Sequence, residues 1–230
     1  MSYLVVDIET VPDLSVYRKP EIKEGEKEPF PPAPAHQVVC IGLLFLDEML
    51  LPRKLGVVYQ GGERQILTTW NDFMRTKKPV LITWNGRGFD LPVLMARSLG
   101  RGVDFSWYFD NNYRYRYSED WNVDLCDQMG DYGAARGLKL DHYARLCGLP
   151  GKGDVDGGNV EQMMKEGREE DVAAYCLTDV LQTGWLFARW RFLRGKLSRE
   201  MYEEAIKKMA EVAIEVGEKR PALGKFMEKV

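Results

Sequence analysis

The feature that most limits what this chain can fold into is its first apolar run. Residues Tyr3 to Ile8 form a short β-branched stretch that predicts a buried strand, yet Asp7 and Glu9 stand at its end. Side chains alternate along a strand, so Asp7 and Glu9 leave from the same face and can meet one ligand. Carboxylates at the end of a buried strand cost free energy unless a cation or hydrogen-bond donors compensate them. Read alone, Asp-x-Glu also fits a solvated strand end.

The order of elements after this strand sets the fold class. Prolines and charges crowd the stretch from Pro12 to Pro34, which predicts a long loop. Val38 to Leu46 and Leu55 to Gln60 read as two further strands of an antiparallel meander. Gly62 to Lys77 carries Ile66, Leu67, Trp70, Phe73 and Met74 at helical spacing. Pro79 to Trp84 reads as a buried strand that breaks at Asn85-Gly86-Arg87-Gly88, and Phe89 to Leu99 continues as a helix with Pro92 in its first turn. A short Val123 to Cys126 element comes next. Helices are expected near Leu138 to Cys147, Val160 to Glu166, Glu169 to Arg194 and Arg199 to Val216. Meandering strands followed by helix-linked strands predict an α/β fold, a mixed five-stranded sheet flanked by helices.

Composition narrows the class. At 230 residues and 45% hydrophobic content, one substantial core is the default. Thirty-two basic against thirty-five acidic residues give a net charge of −3, so the overall field marks no polyanion partner and any nucleic-acid surface must be a local patch. Carboxylates that bind cations would account for part of the acidity. The longest apolar run, Val38 to Leu46, is far short of the roughly 20 residues of a membrane-spanning helix. No basic leader or small-residue cleavage site marks the N-terminal stretch, so a cytoplasmic protein is expected. Cys40, Cys126, Cys147 and Cys176 lie far apart, which argues for reduced, mostly buried thiols rather than a zinc knuckle.

Two further segments carry acidic residues in telling contexts. In Asn85 through Leu94 a strand breaks at glycines and Asp90 opens a helix, where it fits either a site role or an N-terminal cap. In Tyr175-Cys176-Leu177-Thr178-Asp179 the four-residue spacing puts phenol and carboxylate on one helical face, which also fits a core tyrosine beside a structural aspartate.

Taken together, Asp7-Ile8-Glu9-Thr10, Asn85 through Leu94 and Tyr175 through Asp179 resemble, in order and wording, the three exonuclease motifs of the DnaQ-like (DEDD) superfamily. The resemblance is to its tyrosine (DEDDy) branch, which includes the proofreading exonuclease domain of family-B DNA polymerases. The histidine branch places a histidine five residues before the last aspartate, and here that residue is Ala174. The resemblance implies an RNase H-like fold, with an exonuclease domain at residues 1–195 and a C-terminal helical extension, 196–230, packed on or beside it. It implies a stand-alone exonuclease or a subunit, with a polymerase or repair partner that the sequence does not identify.

By the same resemblance the activity is metal-dependent 3′-5′ hydrolysis of single-stranded nucleic acid with a free 3′ end, DNA favoured over RNA. Two divalent cations, Mg²⁺ or Mn²⁺, would be held by Asp7, Glu9, Asp90 and Asp179, with Asp7 shared between them. Tyr175 would orient the attacking water, because a phenol with its usual pKa near 10 is a poor base. Thr10 and Val11 would border the terminal nucleotide, and Asn85 and Phe89 the penultimate one. An RNase D-like exoribonuclease and an idle single-strand-binding module are the alternatives; four mutually repelling carboxylates argue against the second.

Outside the motifs, Tyr113-Arg114-Tyr115-Arg116-Tyr117 alternates aromatic and guanidinium groups, which fits a single-strand stacking platform or an exposed β-ribbon. Lys152, in a glycine-rich loop, is a candidate phosphate contact. Asp124, Asp127 and Asp171 are expected to cap or solvate helices, His36 to lie in a loop and His142 on a helix face.

Overall fold

The computed structural model describes residues 1–21, 25, 29–151 and 159–230. β1 (Tyr3–Pro12), β2 (His36–Leu46) and β3 (Pro52–Val58) form the antiparallel meander, and β4 (Val80–Thr83) and β5 (Asn122–Asp124) add in parallel on the other side of β1. The five-stranded order is β3-β2-β1-β4-β5, so the carboxylate-bearing strand is central and paired on both edges. Helix α1 (Gly62–Lys77) joins β3 to β4. After β4 come α2 (Asp90–Arg101) and the single turn α3 (Trp107–Asp110). β5 runs directly into α4 (Leu125–Met129), followed by α5 (Leu140–Leu146), α6 (Val160–Lys165) and α7 (Glu169–Leu193). The chain ends with α8 (Arg199–Gly217) and α9 (Pro221–Met227).

The two-residue period of β1 divides its side chains between two cores. Leu4, Val6 and Ile8 pack with Ile66, Leu67 and Trp70 of α1 and Leu91 and Leu94 of α2. Tyr3 and Val5 enter the opposite core, with Leu177, Val180 and Leu181 of α7 and Ala205 and Met209 of α8. By the same alternation Asp7 and Glu9 belong to the α7 face. Each fully buried leucine or valine contributes about 1.5–3 kcal/mol. These cores therefore hold α7 firmly over β1.

Helix α7 is buried nearly all round from Val172 to Trp190, as a helix must be when the sheet covers one side and α8, α9 and α5 cover the other. Its close approach depends on two glycines. A Cβ on Gly42, directly opposite Asp7 in the β1–β2 ladder, would stand 2.7 Å from Cys176 Sγ and 2.9 Å from Val180 Cγ2. A Cβ on Gly184 would stand 2.8 Å from Leu44 Cδ2.

A buried ionic network anchors the chain beyond β1. Arg97 of α2 donates to Glu63 Oε1 at 2.6 Å and to Pro34 O at 2.9 Å, and pairs with Asp13 at 2.8 Å. Glu63 also accepts from the Val38 amide and from Arg101. The Asp13 amide donates to Ala35 O, closing the connection between β1 and β2 at its base.

Several expectations need correction. His36 is not a loop residue: it opens β2, is 4% exposed, and its ring bonds Thr10 Oγ1 and Pro31 O, both at 3.0 Å. Of the two readings of Tyr113 to Tyr117, the exposed β-ribbon does not form. Tyr113 is fully buried and its hydroxyl donates to Pro79 O, so one member of the alternating set belongs to the core. The C-terminal stretch holds an additional short helix, α9, and the helix expected at Phe89 to Leu99 starts at Asp90 and runs to Arg101. His142 lies on α5 as expected.

Candidate active site

β1 delivers Asp7 and Glu9, and a register shift in the β1–β2 ladder falls immediately after Glu9. Such bulges twist a strand locally and re-aim the residues beyond them. Thr10 turns to His36, while Val11 packs with Val160, Met163 and Tyr175. Asp7, Glu9 and Cys176 of α7 have potential ligand atoms all within 4.8 Å of one another. Cys176 Sγ lies 3.4 Å from the Asp7 carbonyl oxygen and 3.6 Å from its carboxylate. Burial and the neighbouring Cys40 push the Cys176 thiol well above its usual range, so it stays protonated and acts as a donor to Asp7.

Helix α7 brings Tyr175 and Asp179 to the same place, one turn apart on the face toward β1. The Tyr175 phenol is pushed up by burial and by the charges of Asp179, Glu9 and Asp7, and it hydrogen-bonds Asp179. A phenol so placed remains protonated and can orient a neighbouring oxygen but is poorly suited to accept a proton. Gln182 Nε2, almost one turn further on, lies 3.5 Å from Asp179 Oδ1.

Asp90 arrives from the other side of β1. The turn after β4 is tight: Asn85 adopts a positive φ of 60°, a conformation asparagine tolerates, and the Phe89 amide bonds Asn85 O. The α2 N-cap is Phe89 and Asp90 is the first helical residue, so Asp90 does not cap. Its carboxyl receives its own amide and the Ile8 amide, fixing it against β1. Burial, opposed by these two amides and reinforced by Asp124 and Asp179, raises Asp90 to about 7. Asp90 is 4% exposed, and so are Asp124 and Asp179.

Asp124 does more than the capping or solvating role the sequence suggests. It caps α4, accepting from the Cys126 amide at 3.0 Å, but it also accepts from the Asn85 amide at 2.8 Å and the Arg87 amide at 3.0 Å. One buried carboxylate thus pins the turn that presents Asp90. Its own pKa is raised by burial, against those three amides. A sequence signal for this role exists: Asp124 follows Val123 in a short strand beside β4, much as Asp7 and Glu9 stand at the end of the apolar run Tyr3 to Ile8, although β1 itself continues past them to Pro12.

The remaining candidates fall outside this cluster or only border it. Phe89 is half-buried, its ring packed with Phe30 and His36. Arg114 is exposed with its guanidinium over Phe109, and Arg116 is committed to Asp127. Asp171, in the first turn of α7, pairs with Arg168. Lys152 lies outside the described residues.

The donor set fits hard divalent cations. Asp7, Glu9, Asp90 and Asp179 offer oxygen, which such ions prefer, whereas the one nearby sulfur is held protonated. Among the described residues no lysine or arginine pairs with Asp90 or Asp124. Their burial is met by backbone amides alone, and Asp90 is raised to about 7, so it holds its proton only below neutrality.

Over residues 28–230 the sequence matches the family described as a predicted 3′-5′ exonuclease related to the exonuclease domain of PolB. The match begins after the strand that carries Asp7 and Glu9. Among solved structures, the fold is similar to the family B DNA polymerase of the hyperthermophilic archaeon Pyrobaculum calidifontis, with a TM-score of 0.58 at 17% identity over 95% of this chain. Two structures of exonuclease I also match, one product-bound (TM-score 0.47, 14% identity) and one apo (TM-score 0.45, 13% identity), each over 79% of this chain. The chain spans 29% of the polymerase's length and 46% and 44% of the two exonuclease I chains. No curated protein matches by sequence.

Proposed function

The chain belongs to the family of predicted 3′-5′ exonucleases related to the exonuclease domain of PolB, and from that premise we propose that it is a metal-dependent 3′-5′ exonuclease of the DEDDy type. Its substrate is single-stranded nucleic acid with a free 3′ end, DNA in preference to RNA. The observation that carries this reading is the convergence of Asp7, Glu9, Asp90, Asp179 and Tyr175 from three separate elements onto one end of β1.

Asp7, Glu9, Asp90 and Asp179 would hold two Mg²⁺ or Mn²⁺ ions. When bound, such a pair stabilises the charge that develops on the attacking and leaving oxygens of a phosphoryl displacement. The protein's own groups then have distinct tasks. Tyr175 keeps its proton and would orient the attacking water by hydrogen bonding. Asp124 holds the Asn85–Arg87 turn and hence the position of Asp90. Thr10 and Val11, beyond the bulge, border the terminal nucleotide, and Asn85 and Phe89 the next. The carboxylate-rich floor repels phosphates until cations occupy it, so substrate binding there is conditional on metal.

The test is digestion of matched 5′-labelled single-stranded DNA and RNA by the purified protein with Mg²⁺ or Mn²⁺, beside an Asp7→Ala variant. A metal-dependent ladder that shortens from the 3′ end and is absent in the variant is expected, with DNA shortened faster. No shortening of either strand would refute the enzymatic reading, and faster loss of RNA would reverse the preference.

A further inference from the structure

Tyr175 also lines a second feature. A cleft of about 390 Å³, lined by Tyr175 and Thr178 of α7, Met163 of α6 and Phe226 of α9, lies between α7 and the end of the chain. That volume is within the roughly 300–1,000 Å³ of small-molecule sites. Among the described residues three cations line it, Arg168, Lys225 and Lys229, against one carboxylate, Asp171. Arg168 is paired with Asp171 at 2.8 Å and with Glu166 at 3.3 Å, so the excess positive charge is that of Lys225 and Lys229. Lys225 and Lys229 are exposed and make no ion pair among the described residues. In a chain of net charge −3 this is a local excess of positive charge with apolar surface beside it.

The packing of α9 fixes the backbone that carries Lys225, and Lys229 follows two residues past its end. Pro221 opens the helix, Leu223 is fully buried, and Phe226 stacks on Trp185 with ring centroids 6.4 Å apart. Gly217 and Gly224 let α8 and α9 approach to contact: a Cβ on Gly217 would stand 3.1 Å from Gly224 Cα. A rigid support of this kind limits the entropy lost when a ligand is bound.

We infer that this cleft is a subsite for one nucleoside 5′-phosphate unit of the strand being shortened, its phosphate facing Lys225, Lys229 and Arg168 and its base against the Met163 and Phe226 surface. Phosphate is the ligand whose charge the cations complement, and a nucleobase is the planar group that apolar and aromatic walls accept. The strand as source rests on the exonuclease reading, because Tyr175 belongs both to this cleft and to the carboxylate cluster.

The test uses the full chain and a Lys225→Glu/Lys229→Glu variant, with exposed Lys207→Glu on α8 as control. Deoxyadenosine 5′-monophosphate is titrated calorimetrically in EDTA, where the carboxylate cluster cannot take up phosphate through metal. The expected result is binding by the wild type and the control, weakened about tenfold or more in the double variant, with deoxyadenosine binding weakly throughout. With Mg²⁺ and a labelled oligonucleotide, the double variant raises KM and leaves kcat unchanged, and its salt dependence is shallower. Equal mononucleotide affinity in wild type and double variant, or no binding at all, overturns the subsite. Weakened mononucleotide binding with unchanged KM overturns the strand as its occupant. Mononucleotide binding without strand shortening supports the subsite while refuting the exonuclease reading.

Discussion

Glu63 and Asp90 are almost equally hidden, at 6% and 4% exposure, yet their acidities move in opposite directions. Burial pushes Glu63 up, but hydrogen bonds from Arg97, the Val38 amide and Arg101 outweigh it, and the carboxyl ends below its usual range. At Asp90 burial meets only two amides and the negative neighbours Asp124 and Asp179, so the group rises to about 7. The first arrangement is a finished ion network that fastens the β1–β2 connection. The second is a set of carboxylates that a protein built for stability alone would not assemble, because desolvated like charges repel. A buried acid is thus informative only with its partners: guanidinium beside it marks a fastener, other acids beside it mark an excess of negative charge that a cation balances.

This contrast yields predictions of decreasing size. Asp7→Ala should lower exonuclease activity on the order of a thousandfold or more, as expected for loss of several kcal/mol of charge stabilisation, while circular dichroism stays unchanged. In the fastener, Arg97→Met takes the shared guanidinium from Glu63 and Asp13, leaving Glu63 with Arg101 and the Val38 amide alone. It should cost about 3–5 kcal/mol of stability, seen in chemical unfolding. If Arg97→Met were mild and Asp7→Ala unfolded the protein, the division between the two regions would be wrong. Gly42→Ala should cost about 1–3 kcal/mol by forcing α7 off β1. It should also slow hydrolysis, because Tyr175 and Asp179 ride on that helix. Tyr175→Phe should reduce kcat by about 10²-fold and leave metal affinity intact, measured by Mn²⁺ titration.

The smallest effect is on metal-free stability and differs in sign between the regions. Asp90 and Asp124 have raised pKa values, so their favourable contribution is fully present below the usual carboxylate range and is lost progressively from there up to the folded value, about 7 for Asp90. Glu63 and Asp13 have lowered values, so theirs is present above the usual carboxylate range and lost as pH falls below it. Thermal unfolding in EDTA should therefore occur at the highest temperature near the usual carboxylate range, at roughly pH 4 to 5, and fall from there to about pH 7. Asp90→Asn should flatten that fall. An unaltered decline in that variant would assign it to other groups.

How much of this is legible in the sequence depends on how local the cause is. Asp7, Glu9, Asp90, Tyr175 and Asp179 are nominated by the resemblance of their three segments to the exonuclease motifs; taken singly, their local patterns also fit a solvated strand end, a helix cap and a core tyrosine. The meander and the helix-linked strands come from local periodicity. Asp124 is easily undervalued because its importance lies in amides of Asn85 and Arg87, far away in sequence and brought near by the parallel pairing of β4 and β5. Tyr113 misleads for a similar reason: alternation with arginine looks like a surface ribbon until a distant acceptor, Pro79 O, draws the phenol inward. His36 reads as a loop residue because prolines precede it, and only the partner strand shows it at the start of β2. In α9 the start signal, Pro221 in the first turn, is present, but a helix this short has too little periodicity to stand out.

The most direct measurement of the central claim is a calorimetric titration of Mn²⁺ into the metal-free protein at pH 6 and pH 8, each in buffers of differing ionisation enthalpy, with Asp90→Asn alongside. Binding should be weaker at pH 6 and release close to one proton more there than at pH 8, because a cation must displace the proton that Asp90 holds below about 7. The Asp90→Asn variant should lose that difference. Absence of Mn²⁺ binding, or binding with the same affinity and proton release at both values, would contradict the reading of this cluster as a metal site.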